Sequence, residues 1–304
     1  MNDIIIIAGP TAVGKTNLSI QLAKKLNTEI ISADSMQIYK HMDIGTAKIT
    51  KSEMSGIRHH LIDIIDPDDN FSVHDFQKAA YKIMDEMSNK DMIPIIVGGT
   101  GLYIDSLIYD YDFINVKPDY ELRKKLEDQY KEDPQVLLSK LYDIDYDNYS
   151  HLNTKDMKKI IRAIEVYEKS GKIINYNREK SLKDINYHLF VLNNDREILY
   201  ERINKRVDIM IESGLIEEVK SLLDNGVSSE SQSMKAIGYK EVISYFNNEF
   251  SYEEMIEKLK QNSRHYAKRQ LTWFRRNEFS QWLDVSKHSE EEMIEIILKQ
   301  INNK

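Results

Sequence analysis

The apolar positions of residues 1–112 switch repeatedly between a strand-like and a helix-like spacing. The run IIIIA at Ile4–Ala8 is continuously apolar, which is typical of a strand buried on both faces of a parallel sheet. Leu18, Leu22 and Leu26 recur at every fourth position, and they predict one face of a helix that begins near Lys15. The chain therefore opens with a predicted strand, a loop and a helix.

The same switching continues further along the chain. Glu29–Ser32 predicts a second short strand, and Met92–Val97 predicts a third. Between them Ser72 and Asp75 form a capping-box pattern, which predicts the start of a helix. The apolar positions along one face of this helix are Phe76, Ala80, Ile83 and Met87. Strands that alternate with helices predict an α/β fold with a parallel, doubly wound core, in which ligands bind at the carboxyl ends of the strands.

Residues 116–185 have a different character. Charges of both signs are dense there, tyrosines recur and strand-like alternation is scarce, so we predict a mostly helical insertion. Tyr187–Leu192 then predicts a strand that returns to the core, and Asp195 predicts the start of a helix. The rest is predicted to be helical, with helix starts at Ser251 and Ser289. We therefore predict a core domain formed by 1–115 and 186–304, interrupted by a helical insertion domain at 116–185.

Composition narrows the class of protein. Of the 304 residues, 41% are hydrophobic and 30% are charged, a balance typical of soluble globular proteins. No apolar run approaches the roughly 18 residues that span a bilayer, so we expect no membrane segment. The chain has no cysteine, which excludes disulfides and thiolate metal sites and fits a cytoplasmic protein. The net charge of -8 argues mildly against a nucleic-acid partner.

The loop GPTAVGKT, between the first strand and the first helix, carries the clearest chemical signal. It fits the phosphate-binding pattern G-x-x-x-x-G-K-[ST] in the strand-to-helix context that the pattern requires. Backbone N–H groups at the glycines and the helix N-terminus attract an anion. Lys15 is expected to bind terminal phosphate oxygens, and the Thr16 hydroxyl to ligate Mg²⁺. The loop predicts a P-loop core like that of nucleoside triphosphatases and kinases, but it does not identify the phosphorylated molecule.

The acidic residue expected near the phosphates is not in its usual place. P-loop ATPases usually end a strand with an aspartate that helps to hold Mg²⁺, whereas the strand at 92–97 ends in Gly98-Gly99-Thr100. The acidic candidate is instead Asp34, after the second strand. A carboxylate there can accept a proton from a nucleophile that approaches a bound phosphate ester. On chemistry alone, an ordinary loop or capping role explains Asp34 equally well.

Basic residues gather late in the chain, in a stripe at 258–276. Seven Lys or Arg residues and His265 occur there without an acidic residue. The basic residues of one helical face are Arg264, Lys268 and Arg275, and the interleaved aromatic residues are Tyr266, Trp273 and Phe274. Such a stripe suits an RNA backbone with bases that stack on aromatic rings, and a solvated helix face is the other interpretation. A second cluster at 202–206 is typical of a charged surface, unless Arg206 lies over a bound diphosphate.

Together these features resemble the tRNA dimethylallyltransferases, a family of enzymes that modify adenosine in tRNA. The most specific match is SADSMQIYKHMDIGTAK at 32–48, which is not a feature of nucleotide kinases. The other matching stretches are GPTAVGKT at 9–16, VGGTGLY at 97–103, KRVDIMIESGLIEEV at 205–219, AIGYKE at 236–241 and YAKRQLTWFRR at 266–276. The resemblance therefore covers nearly the whole chain.

The resemblance implies that the chain transfers a carbon group instead of a phosphoryl group. The expected reaction moves dimethylallyl from dimethylallyl diphosphate to N6 of the tRNA adenosine at position 37, directly 3′ of the anticodon. In this family the P-loop holds the diphosphate of the prenyl donor, and no ATP is hydrolysed. The resemblance also implies Mg²⁺ as cofactor, a cytoplasmic location and a monomer.

The same resemblance assigns expected roles to residues of this chain. Asp34 is the expected general base at adenine N6, and Lys15, Thr100 and Arg206 complete the expected catalytic set. The donor diphosphate is expected on Gly9, Pro10, Thr11, Ala12, Val13, Gly14, Lys15 and Thr16. The residues expected along the tRNA are Asp34, Ser35, Met36, Gln37, Thr100, Arg123, Lys158, Lys159, Ile160, Ile161 and Arg162, and to these we add Arg264, Lys268 and Arg269 of the basic stripe.

Two other functions explain part of the sequence. An ATP-dependent nucleotide or small-molecule kinase explains the P-loop, Mg²⁺ and Asp34, but neither the stripe at 258–276 nor the size of the insertion. A non-catalytic P-loop protein that binds RNA explains the stripe, and it would keep binding tRNA after Asp34→Ala. A labelled donor, either the prenyl diphosphate or ATP, separates these functions.

Overall fold

The computed structural model describes residues 3–109, 114, 116, 118–151, 155–174 and 186–302. The chain divides into two compact units, a core unit at Met1–Ile108 and Leu182–Lys304, and an insertion unit at Tyr109–Ser181. The predicted domain limits, 115/116 and 185/186, stay a prediction, because 115 and 185 lie outside the described residues. Within the described ranges, no helix is long and apolar enough to cross a membrane.

A six-stranded sheet forms the centre of the core unit, and its neighbouring strands all pair in parallel. The strands are β1 Asp3–Ala8, β2 Ile30–Ala33, β3 His59–His60, β4 Ile95–Gly98, β5 Asn186–Asn193 and β6 Gln281–Asp284. Their order across the sheet is β3-β2-β4-β1-β5-β6. The apolar strand β1 therefore lies inside the sheet, where Ile5, Ile6 and Ile7 are fully buried. The predicted parallel α/β fold is confirmed.

Twelve α-helices are formed by the described residues. The helices of the core unit are α1 Lys15–Leu26, α2 Val73–Ser88, α3 Gly101–Ile108, α8 Arg196–Glu212, α9 Leu215–Asp224, α10 Tyr239–Phe246, α11 Tyr252–Phe274 and α12 Glu290–Asn302. Those of the insertion unit are α4 Tyr120–Glu132, α5 Pro134–Ile144, α6 Tyr146–His151 and α7 Met157–Ser170. The predicted helical character of the insertion is confirmed for the part of it that is described.

Local capping signals place several helix starts correctly. Ser72 and Ser251 each cap a helix in a full capping box, at the start of α2 and of α11. Ser289 and Glu292 exchange the same pair of hydrogen bonds before α12. Asp195 caps α8 through its carboxylate. These starts were predictable because the cap depends on residues only three positions apart.

The prediction was wrong in three details. The strands β3 and β6 were missed, because two histidines and the tetrapeptide QWLD at the sheet edges carry no distinctive apolar pattern. The third predicted strand begins at Ile95 instead of Met92, after Pro94, which has no N–H for a ladder. On α2 the buried face contains Met84 instead of Ile83.

The loop that follows β2 is held by a glutamate of α9. Glu218 accepts hydrogen bonds from the N–H groups of Asp43 and Ile44, both at 2.8 Å, and of Gly45 at 3.1 Å. The Tyr239 hydroxyl donates to the same carboxylate at 2.6 Å. Four charge-assisted hydrogen bonds on one carboxylate fix the course of this loop.

The insertion unit has its own apolar core and one buried carboxylate. Leucines and isoleucines of α4, α5 and α7 pack together, among them Leu126, Leu137, Leu141, Ile160 and Ile164. The Glu165 side chain is fully buried beside this core. Because an unpaired buried carboxylate is strongly unfavourable, its hydrogen-bond partners decide whether it remains charged.

Two arginines keep Glu165 ionised. Arg123 donates to both carboxylate oxygens at 2.8 Å, and Arg162 donates to one of them at 2.6 Å. The backbone N–H of Asp119 adds a bond at 2.8 Å. Burial alone would raise the pKa of Glu165, but the hydrogen bonds from Arg123, Asp119 and Arg162 outweigh it and bring the pKa below its ordinary 4.5.

We predict that Glu165→Gln destabilises the insertion unit by about 1–3 kcal/mol, the usual worth of hydrogen bonds to a charged group. The contribution of Glu165 is present above its ordinary pKa of 4.5 and is lost as the pH falls through the lowered folded-state pKa. In the Glu165→Gln variant, the free energy of unfolding of the insertion unit should therefore depend less on pH in the acid range. Denaturant-dependent hydrogen exchange of the α7 amides measures both effects.

Glu168→Gln is the matched control, because Glu168 lies on the same helix and pairs with Lys140 while its side chain is 33% exposed. It should change stability by no more than about 0.5 kcal/mol. Equal losses in the two variants would contradict the role given to Glu165.

Candidate active site

The phosphate loop connects β1 to α1, as the sequence predicts. Ala12 and Gly14 have left-handed φ angles of 62° and 105°, and Gly9 has a φ of 148°. Alternation of right- and left-handed residues is the conformation in which successive backbone N–H groups form a cavity for an anion. The loop ends at Lys15, the first residue of α1, where the helix adds partial positive charge. The eight residues 9–16 therefore have the geometry of an anion site.

The Lys15 ammonium lies inside this loop. Its Nζ donates to the carbonyl oxygens of Gly9 at 3.0 Å and Pro10 at 2.7 Å. Burial, helped by the positive charge of Arg206 and opposed by the carboxylate of Asp34, lowers the pKa of Lys15 from 10.5 to about 7. The shift means that the free site disfavours its own positive charge, and that an anion placed there would restore it.

Arg206 reaches the same loop from α8. Its Nη1 donates to Thr11 Oγ1 at 3.2 Å. Burial lowers the pKa of Arg206, while the carboxylates of Asp34 and Glu53 oppose that shift. The interpretation of Arg206 as an ordinary surface charge is wrong, because its guanidinium is directed into the phosphate loop.

Asp34 follows β2 directly and lies close enough to influence both cations. Its Oδ1 accepts hydrogen bonds from the N–H groups of Met36 at 2.9 Å and Gln37 at 3.4 Å. The other oxygen, Oδ2, accepts no hydrogen bond from the described residues. One oxygen therefore holds the loop, and the other can accept a proton.

Thr100 joins the ends of β2 and β4. Its N–H donates to Ala33 O at 3.2 Å, and its Oγ1 accepts from the Ser35 N–H at 3.1 Å. Because β2 and β4 are neighbours in the sheet, their carboxyl ends bring Thr100 next to the residue that follows Asp34. The structure thus brings Lys15, Thr11, Arg206, Asp34, Ser35 and Thr100 to one edge of the sheet.

The side chains near the phosphate loop could hold a magnesium ion only if most of the ion's ligands come from outside the protein. Thr16 is exposed in the first turn of α1, and its hydroxyl makes no hydrogen bond to any described residue. Within the described part of the chain, no group of three or more His, Cys, Asp or Glu side chains could hold a metal. Mg²⁺ commonly takes one or two protein ligands and completes its shell with phosphate oxygens and water. Thr16 fits that kind of site.

Two other residues predicted to contact tRNA, Met36 and Gln37, make contacts with residues near them in the chain. The Gln37 Nε2 donates to the carbonyl oxygens of Thr46 and Ala47, each at 3.3 Å. Met36 is partly buried against the apolar cluster that includes Tyr39. Both follow Asp34 closely and donate their backbone N–H groups to it, but the Gln37 side chain supports the loop.

The three aromatic residues of the basic stripe are buried to different degrees. Phe274 is buried, and Trp273 Nε1 donates to Asp105 Oδ2 at 2.9 Å. Burial and the Asp34 carboxylate raise the pKa of Tyr266, and hydrogen bonds with the side chains of Thr100 and Gln270 lower it in part. Phe274 is therefore not available to stack on RNA bases, whereas Tyr266 and Trp273 are half-buried, and their contact with RNA stays a prediction.

The cations of the stripe differ in their exposure. Arg264 donates to Asn204 Oδ1 at 2.6 Å and is half-buried. Lys268 and Arg269 are exposed, and the Arg269 guanidinium lies 5.7 Å from the centre of the Tyr266 ring. Lys268 and Arg269 are therefore the accessible members of the three predicted tRNA-binding cations on α11.

In the insertion unit, the predicted tRNA-binding segment begins α7. Lys158 and Lys159 are exposed, whereas Ile160 is fully buried and Ile161 is 4% exposed. The expectation of tRNA contact is wrong for these two isoleucine side chains, because they belong to the unit's apolar core. Arg123 and Arg162 are one-third exposed and already paired with Glu165.

Sequence reasoning missed one residue of the site, Gln270. Its side chain is buried on α11 and hydrogen-bonds to the backbone of Thr11 and of Gly99. A buried glutamine among basic residues is a detectable signal, because amides are rarely buried without a specific partner. The partners themselves lie 259 and 171 positions away and were not predictable.

Comparisons with known proteins show the family to which this chain belongs. The family model for IPP transferase matches residues 37–277. A curated tRNA dimethylallyltransferase of Acetivibrio thermocellus is 48% identical over 298 residues, which cover 97% of this chain and 95% of that protein.

Solved structures are similar over nearly the full length of this chain. A tRNA isopentenylpyrophosphate transferase from Bacillus halodurans is 42% identical with a TM-score of 0.75, covering 99% of this chain and 96% of that one. A eukaryotic dimethylallyltransferase described as acting on tRNA is 29% identical with a TM-score of 0.83, covering 100% of this chain and 80% of that one. On the match to the family model and the identity to these relatives, the chain belongs to the IPP transferase family.

Proposed function

We propose that this protein transfers the dimethylallyl group of dimethylallyl diphosphate to N6 of adenosine 37, the nucleotide directly 3′ of the anticodon in tRNA, and releases diphosphate. The observation that carries the proposal is one site that combines two desolvated cations, Lys15 and Arg206, with the carboxylate of Asp34. The family and the names of the relatives support it. The cations suit a diphosphate, and the carboxylate suits an incoming amine.

The donor diphosphate binds in the loop formed by Gly9, Pro10, Thr11, Ala12, Val13, Gly14, Lys15 and Thr16. Lys15 and Arg206 then interact with the phosphate oxygens. Both side chains lose hydration on burial, so their attraction for an anion is stronger than it would be in bulk water. As the bond between carbon and diphosphate oxygen lengthens, negative charge grows on the leaving diphosphate, and these two cations stabilise it.

Magnesium is the proposed cofactor. Thr16 would hold it through its hydroxyl, and the ion would supply further neutralisation of the diphosphate charge. The positioning of the acceptor and the removal of its proton are left to the protein side chains.

The acceptor reacts through its exocyclic amine. The N6 lone pair forms a bond to C1 of the dimethylallyl group while the bond from C1 to the diphosphate oxygen breaks, and its electron pair leaves with diphosphate. Asp34 accepts the N6 proton, which leaves neutral product nitrogen. The adenine must leave its stack in the anticodon loop to reach Asp34.

The proposed tRNA contacts extend beyond the reacting base. Ser35, Met36, Gln37 and Thr100 lie around Asp34 and would contact the nucleotides nearest to the reaction. The cationic contacts would be Lys158, Lys159, Arg123 and Arg162 of the insertion unit, and Arg264, Lys268 and Arg269 of α11. Phosphate contacts of this kind explain how a chain with a net charge of -8 binds a polyanion. We further propose that the protein is a cytoplasmic monomer.

A direct assay tests the proposal against the kinase alternative. The protein is incubated with unmodified tRNA and either dimethylallyl diphosphate labelled in its carbon chain or ATP labelled in its γ-phosphate. We expect label in tRNA from the prenyl donor alone. Label that enters tRNA only from ATP would contradict the proposal, and tRNA binding without product from either donor would support a non-catalytic role.

We predict that Asp34→Asn lowers the single-turnover rate of transfer by roughly 10²–10⁴-fold, the usual contribution of a general base. The amide of the asparagine keeps an oxygen that can accept the hydrogen bonds from the N–H groups of Met36 and Gln37, so the loop should keep its shape. Dissociation constants for tRNA and the donor, measured separately, should change much less than the rate.

Asp66→Asn is the control for this substitution, because Asp66 is exposed and pairs with Lys40 on the surface. It should react at the wild-type rate. If Asp34→Asn loses tRNA affinity as strongly as rate, Asp34 binds the acceptor and does not act as its base.

We also predict that diphosphate binding takes up a proton through Lys15. The pKa of Lys15 is about 7 in the free protein, and a bound anion raises it, so uptake should increase as the pH rises above 7. At about pH 8, one unit above the pKa, roughly nine-tenths of free Lys15 is neutral. Affinity for diphosphate should fall correspondingly as the pH rises.

Calorimetry of inorganic diphosphate binding in metal-free buffers of different ionisation enthalpy measures this uptake. The comparison is Lys15→Arg, whose side chain stays protonated throughout. Protons taken up by diphosphate itself are common to both proteins, so the difference belongs to Lys15. Identical uptake by the two proteins would show that Lys15 is already charged in the free site.

A further inference from the structure

Gln270 connects two separate loops of the site from a buried position on α11. Its Oε1 accepts the Thr11 N–H at 3.0 Å, and its Nε2 donates to Gly99 O at 2.9 Å. Only 6% of the residue is exposed. The orientation of the amide is fixed by its partners, since a backbone N–H can only donate and a carbonyl oxygen can only accept.

On one side, Gln270 fixes the half of the site that faces the prenyl donor. The Thr11 N–H belongs to the phosphate loop, and the Thr11 hydroxyl accepts the bond from Arg206 at 3.2 Å. Gln270 therefore fixes the position of Thr11, which in turn accepts the hydrogen bond that orients Arg206.

On the other side, it fixes the half that faces the acceptor. Gly99 precedes Thr100, whose N–H donates to Ala33 and whose Oγ1 accepts from Ser35. Ala33 and Ser35 are the two chain neighbours of Asp34. A displacement at Gly99 would therefore reach both sides of the proposed base.

The fit between Gly99 and the amide leaves no room for a side chain. A Cβ atom at position 99 would lie 2.1 Å from Gln270 Nε2 and 3.2 Å from its Cδ. These distances are below van der Waals contact, so an alanine at 99 must displace the Gln270 amide. Glycine at 99 and glutamine at 270 thus form one matched pair.

We propose that Gln270 is a positioning residue that sets the distance between the donor loop and the acceptor loop, and thereby the distance over which N6 attacks C1. The inference rests on the proposed function. Each loop can bind its own substrate without the two hydrogen bonds of Gln270, but N6 and C1 come within reacting distance only when both loops are correctly placed relative to each other. A displacement of about 1 Å between reacting groups can cost on the order of 10²-fold in rate.

The test compares Gln270→Ala with wild type in three measurements. These are the dissociation constant for tRNA, the dissociation constant for dimethylallyl diphosphate, and the single-turnover rate with both substrates saturating. We expect the rate to fall by roughly 10–100-fold, and each dissociation constant to change by less than about threefold (about 0.6 kcal/mol). Gln270→Met preserves side-chain volume and should show the same split, which covers the case in which the alanine variant folds poorly.

Gln261→Ala is the matched control, because Gln261 is an exposed glutamine of the same helix that meets only Lys258 among the hydrogen-bond partners of the described residues. It should leave all three measurements unchanged.

A double-mutant cycle tests the bridge from its other end. Gly99→Ala should by itself reproduce the rate defect, because it displaces the amide. In the Gln270→Ala background the new methyl group meets no amide, so the double variant should be no slower than Gln270→Ala alone. Additive defects would contradict a shared bridge.

The outcomes separate the inference from the function on which it rests. A wild-type protein that forms no prenylated tRNA contradicts the proposed function. A reactive wild type with an equally fast Gln270→Ala overturns the inference alone. A Gln270→Ala variant that loses affinity for one substrate as strongly as it loses rate also overturns it, because the residue would then serve one loop.

Discussion

The site depends on an unfavourable electrostatic arrangement in the free protein. Lys15 and Arg206 are both desolvated, which lowers the pKa of each, and the positive charge of Arg206 lowers the pKa of Lys15 further, while the carboxylate of Asp34 opposes both shifts. Such a cluster is stable only because the surrounding fold fixes its members, through the carbonyl oxygens of Gly9 and Pro10 and the hydroxyl of Thr11. In the proposed function, a bound diphosphate would relieve this repulsion, and the site would hold it most strongly when its negative charge is greatest. Such a site would favour departure of the diphosphate over its retention in an ester.

Much of this arrangement could be predicted from local patterns. The continuous isoleucines of β1, the glycines and lysine of the phosphate loop, and the capping serines act over a few positions, and each was placed correctly. The position of Asp34 followed from the rule that parallel strands present their carboxyl ends at one edge. Its chemical role did not follow from any pattern, and it came from the family resemblance.

What escaped prediction is what depends on distant partners. The basic stripe of α11 has the composition of a nucleic-acid surface, yet Phe274 within it is buried and Trp273 hydrogen-bonds to Asp105. Ile160 and Ile161 were expected along the tRNA from the family resemblance of their segment, yet both side chains are buried in the apolar core of the insertion unit. Helical periodicity tells which residues share a face, but the face that becomes buried is decided by elements far along the chain.

This distance has a consequence for the newly made protein. The loop that follows Asp34 is held by Glu218. This residue is 175, 174 and 173 positions away from the three residues whose backbone N–H groups donate to it. Arg206 and Gln270 are later still relative to the phosphate loop. A nascent chain therefore carries the phosphate loop long before it carries Arg206, Glu218 and Gln270, so the loop that follows Asp34 lacks its carboxylate anchor until α9 has been made. A fragment that ends before residue 206 would keep the phosphate motif and lack all three of these later contacts.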